Sequence, residues 1–322
     1  MAEREYMTFG TIEAQHILSP DIGATTQGQK FYLDPANGSD GHRGLTPGTA
    51  FKTITKAYAA CTANQNDIVY YLSGSSSITL TDTLTWGKDY THLIGICAPT
   101  RIGQRARFFL TALGTANPMI DVTANSCIMQ NLYFFHGVAS TSSLICTRVT
   151  GQRNYFENVH FAGIGHATGQ GDVAAARSLS LAGGAENTFK DCTIGVDTIA
   201  RSVANAEIDC TSQATRNYFE NCKILSFADA DTHLFLKIGT AGIDRFIWFK
   251  DCMFFNAIGS TATTMAEAFD IGASSGGLVI LENSSLVGAT TFEAATVSGQ
   301  VYITQAAPTA ASSGEAVAVA AS

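Results

Sequence analysis

A recurring phrase in the second half of the 322-residue chain constrains its fold more than any other feature. Each copy reads aromatic residue, charged residue, Asn or Asp, small apolar residue, polar residue and apolar residue. The copies are Arg153–Phe161, Asn187–Ile194, Arg216–Ile224 and Phe246–Phe254, with weaker ones at Ile128–Phe134 and Val279–Leu286. Their Asn or Asp positions are separated by 27, 33, 30, 30 and 32 residues. A repeat of this length predicts stacked supersecondary units and not a single globular core.

The pattern within one copy indicates which kind of solenoid forms. Apolar and polar residues alternate on both sides of the Asn or Asp, which is typical of two short strands joined by a one-residue bend. Asn and Asp tolerate the left-handed backbone conformation that such a bend needs. Because a further apolar run precedes each copy, we predict an all-β, single-stranded parallel β-helix with three short strands per coil. The bend residues should form a ladder up the stack, the corner ladder: Asn131, Asn158, Asp191, Asn221, Asp251 and Asn283.

The residue before each bend gives an independent prediction of the register. Its charge alternates from copy to copy along a second series, the charge ladder: Glu157, Lys190, Glu220, Lys250 and Glu282. Opposite charges on neighbouring strands stabilise a sheet, whereas like charges directly opposite destabilise it. We expect each exposed pair to contribute only about 0.2–1 kcal/mol.

Composition narrows the classes of function. The net charge is -8 with a pI of about 5.3, which argues against nucleic acid as a partner. The chain has no apolar run of eighteen residues, so we predict no membrane span, and no secretory signal is expected at its N-terminus. The eight cysteines show no CxxC pair or zinc-type spacing, and we interpret them as small buried side chains in a reducing compartment.

The segment Phe31–Cys61 combines a short strand, a loop rich in Gly, Asn, Asp and Pro, and an amphipathic helical segment. It resembles the N-terminal cap of right-handed parallel β-helix proteins of the pectate-lyase-like superfamily. The matching residues are Tyr32, Leu33, Asp34, Pro35, Asn37, Gly38, Ser39, Asp40, Gly44, Leu45, Pro47, Ala50, Phe51, Lys52, Thr53 and Ile54. The resemblance implies a right-handed β-helix with a capping helix. It is less specific for activity, because such caps occur on lyases, hydrolases and virion proteins.

The predicted organisation has four parts. Residues 1–29 form an N-terminal arm, residues 30–66 a strand-loop-helix cap, residues 67–304 the β-helix, and residues 305–322 an Ala/Ser-rich tail. The cap is expected to cover the strand edges and apolar interior at one end of the solenoid.

Few residues suggest chemistry. Asp229, Asp231 and His233 form the densest polar group and are candidate cation ligands, although a solvated loop is the simpler interpretation. His160, His166 and Asp172 lie near a long loop, where structural or exposed histidines are the simpler interpretation as well. Only two tryptophans are present, Trp86 and Trp248, which is little aromatic surface for a polysaccharide groove. We therefore predict no catalytic residues and no cofactor.

The segment Asp89–Phe108 resembles segments of β-helix proteins from tailed bacteriophages. The resemblance favours a non-enzymatic virion protein, specifically a capsid decoration or cement protein assembled in the host cytoplasm. It implies a homotrimer that contacts other virion proteins such as the major capsid protein. Two alternatives remain open at this stage: a tailspike- or fibre-type polysaccharide depolymerase (lyase or hydrolase), which needs a carboxylate pair in a groove, and a bacterial surface adhesin.

Overall fold

The protein is described by a computed structural model that covers residues 28–110, 116–257, 262–272, 275–293 and 300–304. Residues 1–27 and 305–322, which hold most of the predicted arm and the whole predicted tail, lie outside the described residues. Within the described part there is one α-helix, α1 (Ile54–Ala60), preceded by a 3-10 turn at Pro47–Thr49, and a π-helical turn at Ala167–Gly171. No helix there is long and apolar enough to cross a bilayer.

The strands of the described residues are short and follow one another along the whole chain. They are β1 (Lys30–Leu33), β2 (Asp67–Leu72), β3 (Ile78–Leu80), β4 (Leu84–Trp86), β5 (Thr91–Ile96), β6 (Arg107–Leu110), β7 (Ile120–Val122), β8 (Ile128–Phe135), β9 (Ile145–Val149), β10 (Tyr155–Ala162), β11 (Arg177–Ala182), β12 (Thr188–Lys190), β13 (Thr193–Ile194), β14 (Ala206–Thr211), β15 (Asn217–Glu220), β16 (Lys223–Ser226), β17 (Leu234–Ile238), β18 (Phe246–Lys250), β19 (Met253–Asn256), β20 (Met265–Ile271), β21 (Leu278–Glu282), β22 (Ser285–Val287), β23 (Ala289–Glu293) and β24 (Val301–Ile303).

The strands pair in parallel with strands one coil away, so the chain is an all-β, right-handed parallel β-helix as predicted. The front sheet has the order β1-β2-β5-β8-β10-β12-β15-β18-β21-β24. The back sheet has the order β4-β7-β9-β11-β14-β17-β20-β23. Side strands continue past the bend of each coil and stack on one another: β3, β6, β13, β16, β19 and β22.

The interior is filled by columns of identical or similar side chains from successive coils. Phe156, Phe189, Phe219 and Phe249 stack with ring centroids 4.7, 4.5 and 4.7 Å apart. All four rings are fully buried. Since the centroid separation equals the spacing of paired strands, about 4.8 Å, the in-register stacking of the coils brings each ring onto the next.

Each repeat turns at its Asn or Asp, as the sequence predicts for a bend that needs the left-handed conformation. All six residues of the corner ladder have positive φ, between 47° and 56°. Most other residue types would be strained there by about 1–2 kcal/mol. The repeating Asn or Asp is therefore set by backbone geometry before any side-chain bond is considered.

A second, buried ladder is made by asparagines that the sequence analysis did not single out. Asn154, Asn187 and Asn217 begin successive copies, and they are at most 2% exposed. Each side-chain oxygen accepts a backbone N–H from the coil before it, at 2.9–3.0 Å, and each amide donates to a carbonyl of an earlier coil. These bonds satisfy backbone groups that burial would otherwise leave unpaired.

The N-terminal end is covered by β1, its loop and α1. Asp40 accepts the backbone N–H groups of Lys52 and Thr53, and the Thr53 side chain caps α1 by accepting from Lys56. Although burial acts to raise it, these hydrogen bonds hold the pKa of Asp40 below its ordinary value. At the other end of α1, the Lys88 ammonium donates to three backbone carbonyls, where a cation is favoured.

Candidate functional site

Hydrogen bonds between side chains join the residues of the corner ladder two by two. Asn158 donates to Asn131 at 2.9 Å and Asn221 donates to Asp191 at 2.6 Å, and Asn283 donates to Asp251. No such bond joins Asn158 to Asp191 among the described residues, and an arginine from another part of the chain occupies that place.

The charge ladder has the predicted register but few ion pairs. Glu157 lies opposite Lys190, Lys190 opposite Glu220, Glu220 opposite Lys250, and Lys250 opposite Glu282. Within the described residues, only Lys250 and Glu282 come within ion-pair distance, at 3.1 Å. Glu157 and Lys190, at the start of the ladder, are therefore in no ion pair with any residue that the structure describes.

The structure does not bring the candidate cation ligands together. Asp229 and Asp231 are exposed, whereas His233 is fully buried and its ring nitrogens face Ser226 and Asn205 at 2.6 and 2.5 Å. No group of three or more His, Cys, Asp or Glu side chains in the described ranges is placed to hold a metal ion. His166 accepts the Gly169 N–H inside the π-helical turn, and Asp172 accepts from Ser202.

His233 belongs to a buried polar cluster on the outer side of the back sheet. Glu207 and Arg201 form an ion pair at 2.8 Å, and both side chains have no exposed surface. Burial raises the pKa of Glu207, but Arg201, His233 and Ser178 outweigh it and hold that pKa below the ordinary value. The cluster is thus a buried contact between β14 and the segments that hold Arg201 and His233.

A cavity of about 400 Å³ lies on the outer face of the front sheet. Apolar and aromatic side chains form one end, and carboxylate and amide groups from β8, β10 and the bend after β12 form the other. It is lined by Tyr70, Ile94, Gly95, Ile96, Pro99, Arg101, Gln130, Asn131, Glu157, Asn158 and Asp191. Sites for small molecules and sugars commonly combine an apolar floor with a few placed polar groups.

One wall of the cavity is the corner loop, residues 97–106, which leaves the end of β5 and lies against the corner ladder. Arg101 pairs with Asp191, and its backbone N–H donates to Asn158 at 3.0 Å. Gln104 donates to the Asn158 carbonyl at 2.7 Å. Arg101 therefore fills the gap between Asn158 and Asp191 and fixes the loop to two successive coils.

Gly95 allows this close approach. A Cβ at Gly95 would lie 2.1 Å from the Asn131 carbonyl oxygen and 2.5 Å from the Ala106 side chain. Any larger residue would push β8 or the corner loop away, so the depth of the cavity depends on this glycine.

The corner loop also rests on His160. The Gly103 N–H donates to His160 Nδ1 at 3.2 Å, so this nitrogen is unprotonated, and Nε2 faces the Gly195 carbonyl at 2.9 Å. Burial lowers the pKa of His160 to about 4, with the Gly195 carbonyl opposing that shift. The imidazole is thus neutral at ordinary pH, as the bond from Gly103 requires.

Two carboxylate side chains, Glu157 and Asp191, line the cavity. Gln130 donates to one carboxylate oxygen of Glu157 at 3.0 Å, and the Tyr155 side chain is a second hydrogen-bonding neighbour of this carboxylate. Asp191 is held by Arg101 and Asn221. Two carboxyl groups in one cavity are the groups that glycosidic bond cleavage uses.

An aromatic column runs beside the charge ladder on the same outer face. Its rings come from Tyr155, Tyr218, Trp248 and Tyr302, with Thr188 and Ile280 between them in register. Counting tryptophans alone missed this surface, because Trp86 is fully buried and the tyrosines supply most of the rings. The signal was present in the sequence as an aromatic residue two positions before the charged residue in three of the six copies.

Comparisons with known proteins agree on the fold. A rhamnogalacturonan lyase is 14% identical with a TM-score of 0.54, covering 80% of this chain and 68% of its own. A pectin methylesterase mutant in complex with a hexasaccharide is 16% identical with a TM-score of 0.53, covering 85% and 80%. A pectate lyase is 16% identical with a TM-score of 0.53, covering 85% and 68%. No protein-family model matches the chain, and no curated protein matches it.

These comparisons contradict the prediction of a protein without enzymatic activity, because the similar structures are enzymes that process polysaccharides. The prediction had paired the glutamates of the charge ladder with lysines, whereas within the described residues Glu282 is the one glutamate of the ladder in an ion pair, with Lys250. At 14–16% identity the comparisons show a shared fold, and the activity has to be argued from the site.

Proposed function

We propose that the protein is an enzyme that cleaves a polysaccharide bound in the front-sheet cavity. The observation that carries this proposal is the placement of Glu157 and Asp191, from neighbouring coils, in one cavity with an apolar floor. In hydrolysis, Glu157 gives its proton to the glycosidic oxygen as the bond between that oxygen and C1 breaks, and the Asp191 carboxylate stabilises the positive charge on the sugar ring. Water then adds to C1 and returns a proton to Glu157.

The shape of the cavity and the names of the similar structures support a polysaccharide as substrate. Tyr70 and the exposed Ile96 offer a surface for the apolar face of a sugar ring, while Gln130 and Arg101 offer hydrogen bonds to its hydroxyl or acidic groups. Proteins with this fold include lyases for rhamnogalacturonan and pectate and an esterase complexed with a hexasaccharide. From these proteins we infer the class of substrate, a polysaccharide, and not which glycan it is.

The setting we propose is the virion of a tailed bacteriophage, where this chain acts as a depolymerase of tailspike or fibre type and assembles as a homotrimer. The support is the resemblance of Asp89–Phe108 to segments of phage β-helix proteins. Mass spectrometry of purified virions and light scattering of the purified protein test the location and the trimer.

The experiment that tests the activity uses purified protein with pectate, pectin, rhamnogalacturonan and a bacterial capsular polysaccharide. New reducing ends report cleavage, and an ultraviolet-absorbing unsaturated product distinguishes elimination from hydrolysis. Glu157→Gln should lower the rate by about 10²–10⁴-fold. Asp270→Asn, on the back sheet, should leave it unchanged. Full activity of Glu157→Gln, or cleavage of none of the four glycans by the wild type, would overturn the proposal.

A further inference from the structure

The aromatic column begins at the cavity and extends away from it. Tyr155 lies on β10 two residues before Glu157, and burial together with the Glu157 carboxylate raises the pKa of Tyr155. From Tyr155 to Tyr302 the column crosses five coil steps, a length of about 24 Å at about 4.8 Å per step. The column is therefore long enough to accommodate several sugar residues beyond the one in the cavity.

The rings present surface along the outer face. Tyr218 and Trp248 contact each other at 5.3 Å between centroids with an interplanar angle of 69°, and both are partly exposed. Tyr302, at the far end, is 60% exposed. Aromatic rings of this kind combine a flat apolar face with a polar edge, which matches the C–H face and the hydroxyl rim of a sugar.

The adjacent charge ladder supplies polar groups at the same spacing. Lys190 and Glu220 form no ion pair with any residue in the described ranges, so their charged groups are available to hydroxyl oxygens and hydrogens. Each ring of the column thus has a hydrogen-bonding side chain beside it, two residues further along the same strand.

We propose that the aromatic column binds the same polysaccharide chain that the cavity cleaves. The chain lies parallel to the axis of the β-helix, with sugar rings on Tyr218 and Trp248 and hydroxyl groups against Lys190 and Glu220. This inference rests on the proposed function for its occupant. It further specifies the substrate as a long linear glycan and gives the column the role of retaining the polymer next to Glu157.

The test measures binding separately from cleavage. Native gels cast with pectate, pectin, rhamnogalacturonan or the capsular polysaccharide report retardation of the wild type, of Glu157→Gln, of the double variant Tyr218→Ala/Trp248→Ala, and of Tyr90→Ala. Tyr90 is an exposed aromatic residue at a corner outside the column and serves as the matched control. Circular dichroism and urea unfolding verify that each variant is folded.

We expect the wild type and Tyr90→Ala to be retarded equally by at least one of the glycans, and Glu157→Gln, which leaves that glycan uncleaved, to be retarded by it as well. The double variant should bind that glycan roughly tenfold or more weakly. Tryptophan emission should change on titration with the same glycan and should lose this response in Trp248→Phe, because the other tryptophan, Trp86, is fully buried.

Three results would overturn the inference. The first is equal retardation of the double variant, and the second is no retardation of the wild type by any of the four glycans. The third is light scattering that shows an oligomer for the wild type and a monomer for the double variant, since the column would then be an interface between copies. Loss of cleavage in Glu157→Gln with unchanged binding by the double variant would reject this inference and retain the proposed function.

Discussion

The front and back sheets are built from the same coils, but their outer faces treat charge differently. On the back sheet, ion pairs hold the charges of one column: Arg148 contacts Asp121 through two bonds, Lys237 contacts Asp270, and Asp209 is contacted by Arg177 from outside the column. On the front sheet, the charge ladder closes only at Lys250 and Glu282 within the described residues. An arginine from the corner loop instead pairs with Asp191 of the corner ladder, beside a cavity.

This difference separates structural charge from charge that can act on a ligand. The pairs of the back sheet satisfy each other, whereas on the front sheet the pair of Arg101 and Asp191 lines a cavity, and Glu157 and Lys190 are in no ion pair within the described residues. Alternation of charge in a repeat therefore indicates register, and it does not by itself indicate which face is structural.

The largest effect is expected from acid, which should act on buried neutral histidines. Burial lowers the pKa of His92, His136 and His160 to about 4, whereas unfolded histidine titrates near about 6.5. Between these values the unfolded chain binds more protons, so stability is fully present above about pH 6.5 and falls as pH decreases toward 4. Each of these histidines then lowers the free energy of unfolding by up to about 3 kcal/mol.

A variant of His160 tests the contribution of the histidine that contacts the corner loop. Urea unfolding at pH 7 and pH 5 should show a smaller loss of stability for His160→Gln than for the wild type, because one group of lowered pKa is gone. His42→Gln, at an exposed position, is the control and should behave like the wild type. An identical loss in His160→Gln and wild type would show that the loop does not depend on a neutral imidazole.

The next largest effect concerns the buried cluster of the back sheet. Glu207→Leu should lower the free energy of unfolding by about 3–5 kcal/mol, because it leaves Arg201 charged and unpaired where no water reaches. Asp270→Asn breaks the pair with Lys237, whose side chains are 38% and 39% exposed, and should cost less than about 1 kcal/mol. If urea unfolding showed the same loss of stability for Glu207→Leu and Asp270→Asn, buried and surface ion pairs of the back sheet would contribute equally, contrary to this prediction.

The features that the sequence predicted are those that repeat at one position of each copy. The bend residues could be read because left-handed backbone restricts residue type, and the interior rings because their phase is constant. The other corner of each coil could not be predicted from the sequence. Arg153, Glu186 and Arg216 adopt positive φ there, and these residue types do not indicate a left-handed backbone.

The cavity could not be predicted from the sequence repeat. It exists because the corner loop crosses the ladder and places Arg101 against Asp191, ninety positions later in the chain. No periodic pattern encodes a contact that occurs once, and Gly95, which permits it, looks like any other strand glycine. The buried cluster of Glu207, Arg201 and His233 was missed for the same reason, because its members come from different coils and non-equivalent positions.

A smaller effect compares the two asparagine ladders. Asn217→Leu removes an acceptor for the backbone N–H of Asn187 and a donor to Gly184 in a fully buried place, which should cost about 2–3 kcal/mol. Asn221→Leu loses one exposed bond to Asp191 and introduces a strained backbone, which should cost about 1–2 kcal/mol. Chemical denaturation of both variants measures the difference, and a larger loss for Asn221→Leu would mean that the bend and not the buried ladder dominates.

The smallest effect is expected from surface charges, and it compares the outer faces of the front and back sheets directly. Arg148→Gln removes the two-bond contact with Asp121, whose carboxylate is only 10% exposed, and should cost about 1 kcal/mol. Lys190→Gln should change the free energy of unfolding by less than about 0.3 kcal/mol, because Lys190 has no ion pair to lose within the described residues. Added salt should reduce the loss in Arg148→Gln and leave Lys190→Gln unchanged, since screening weakens pairs that exist. If Lys190→Gln were as costly as Arg148→Gln, the front face would be a closed structural ladder like the back one, and its charges would not be available to a glycan.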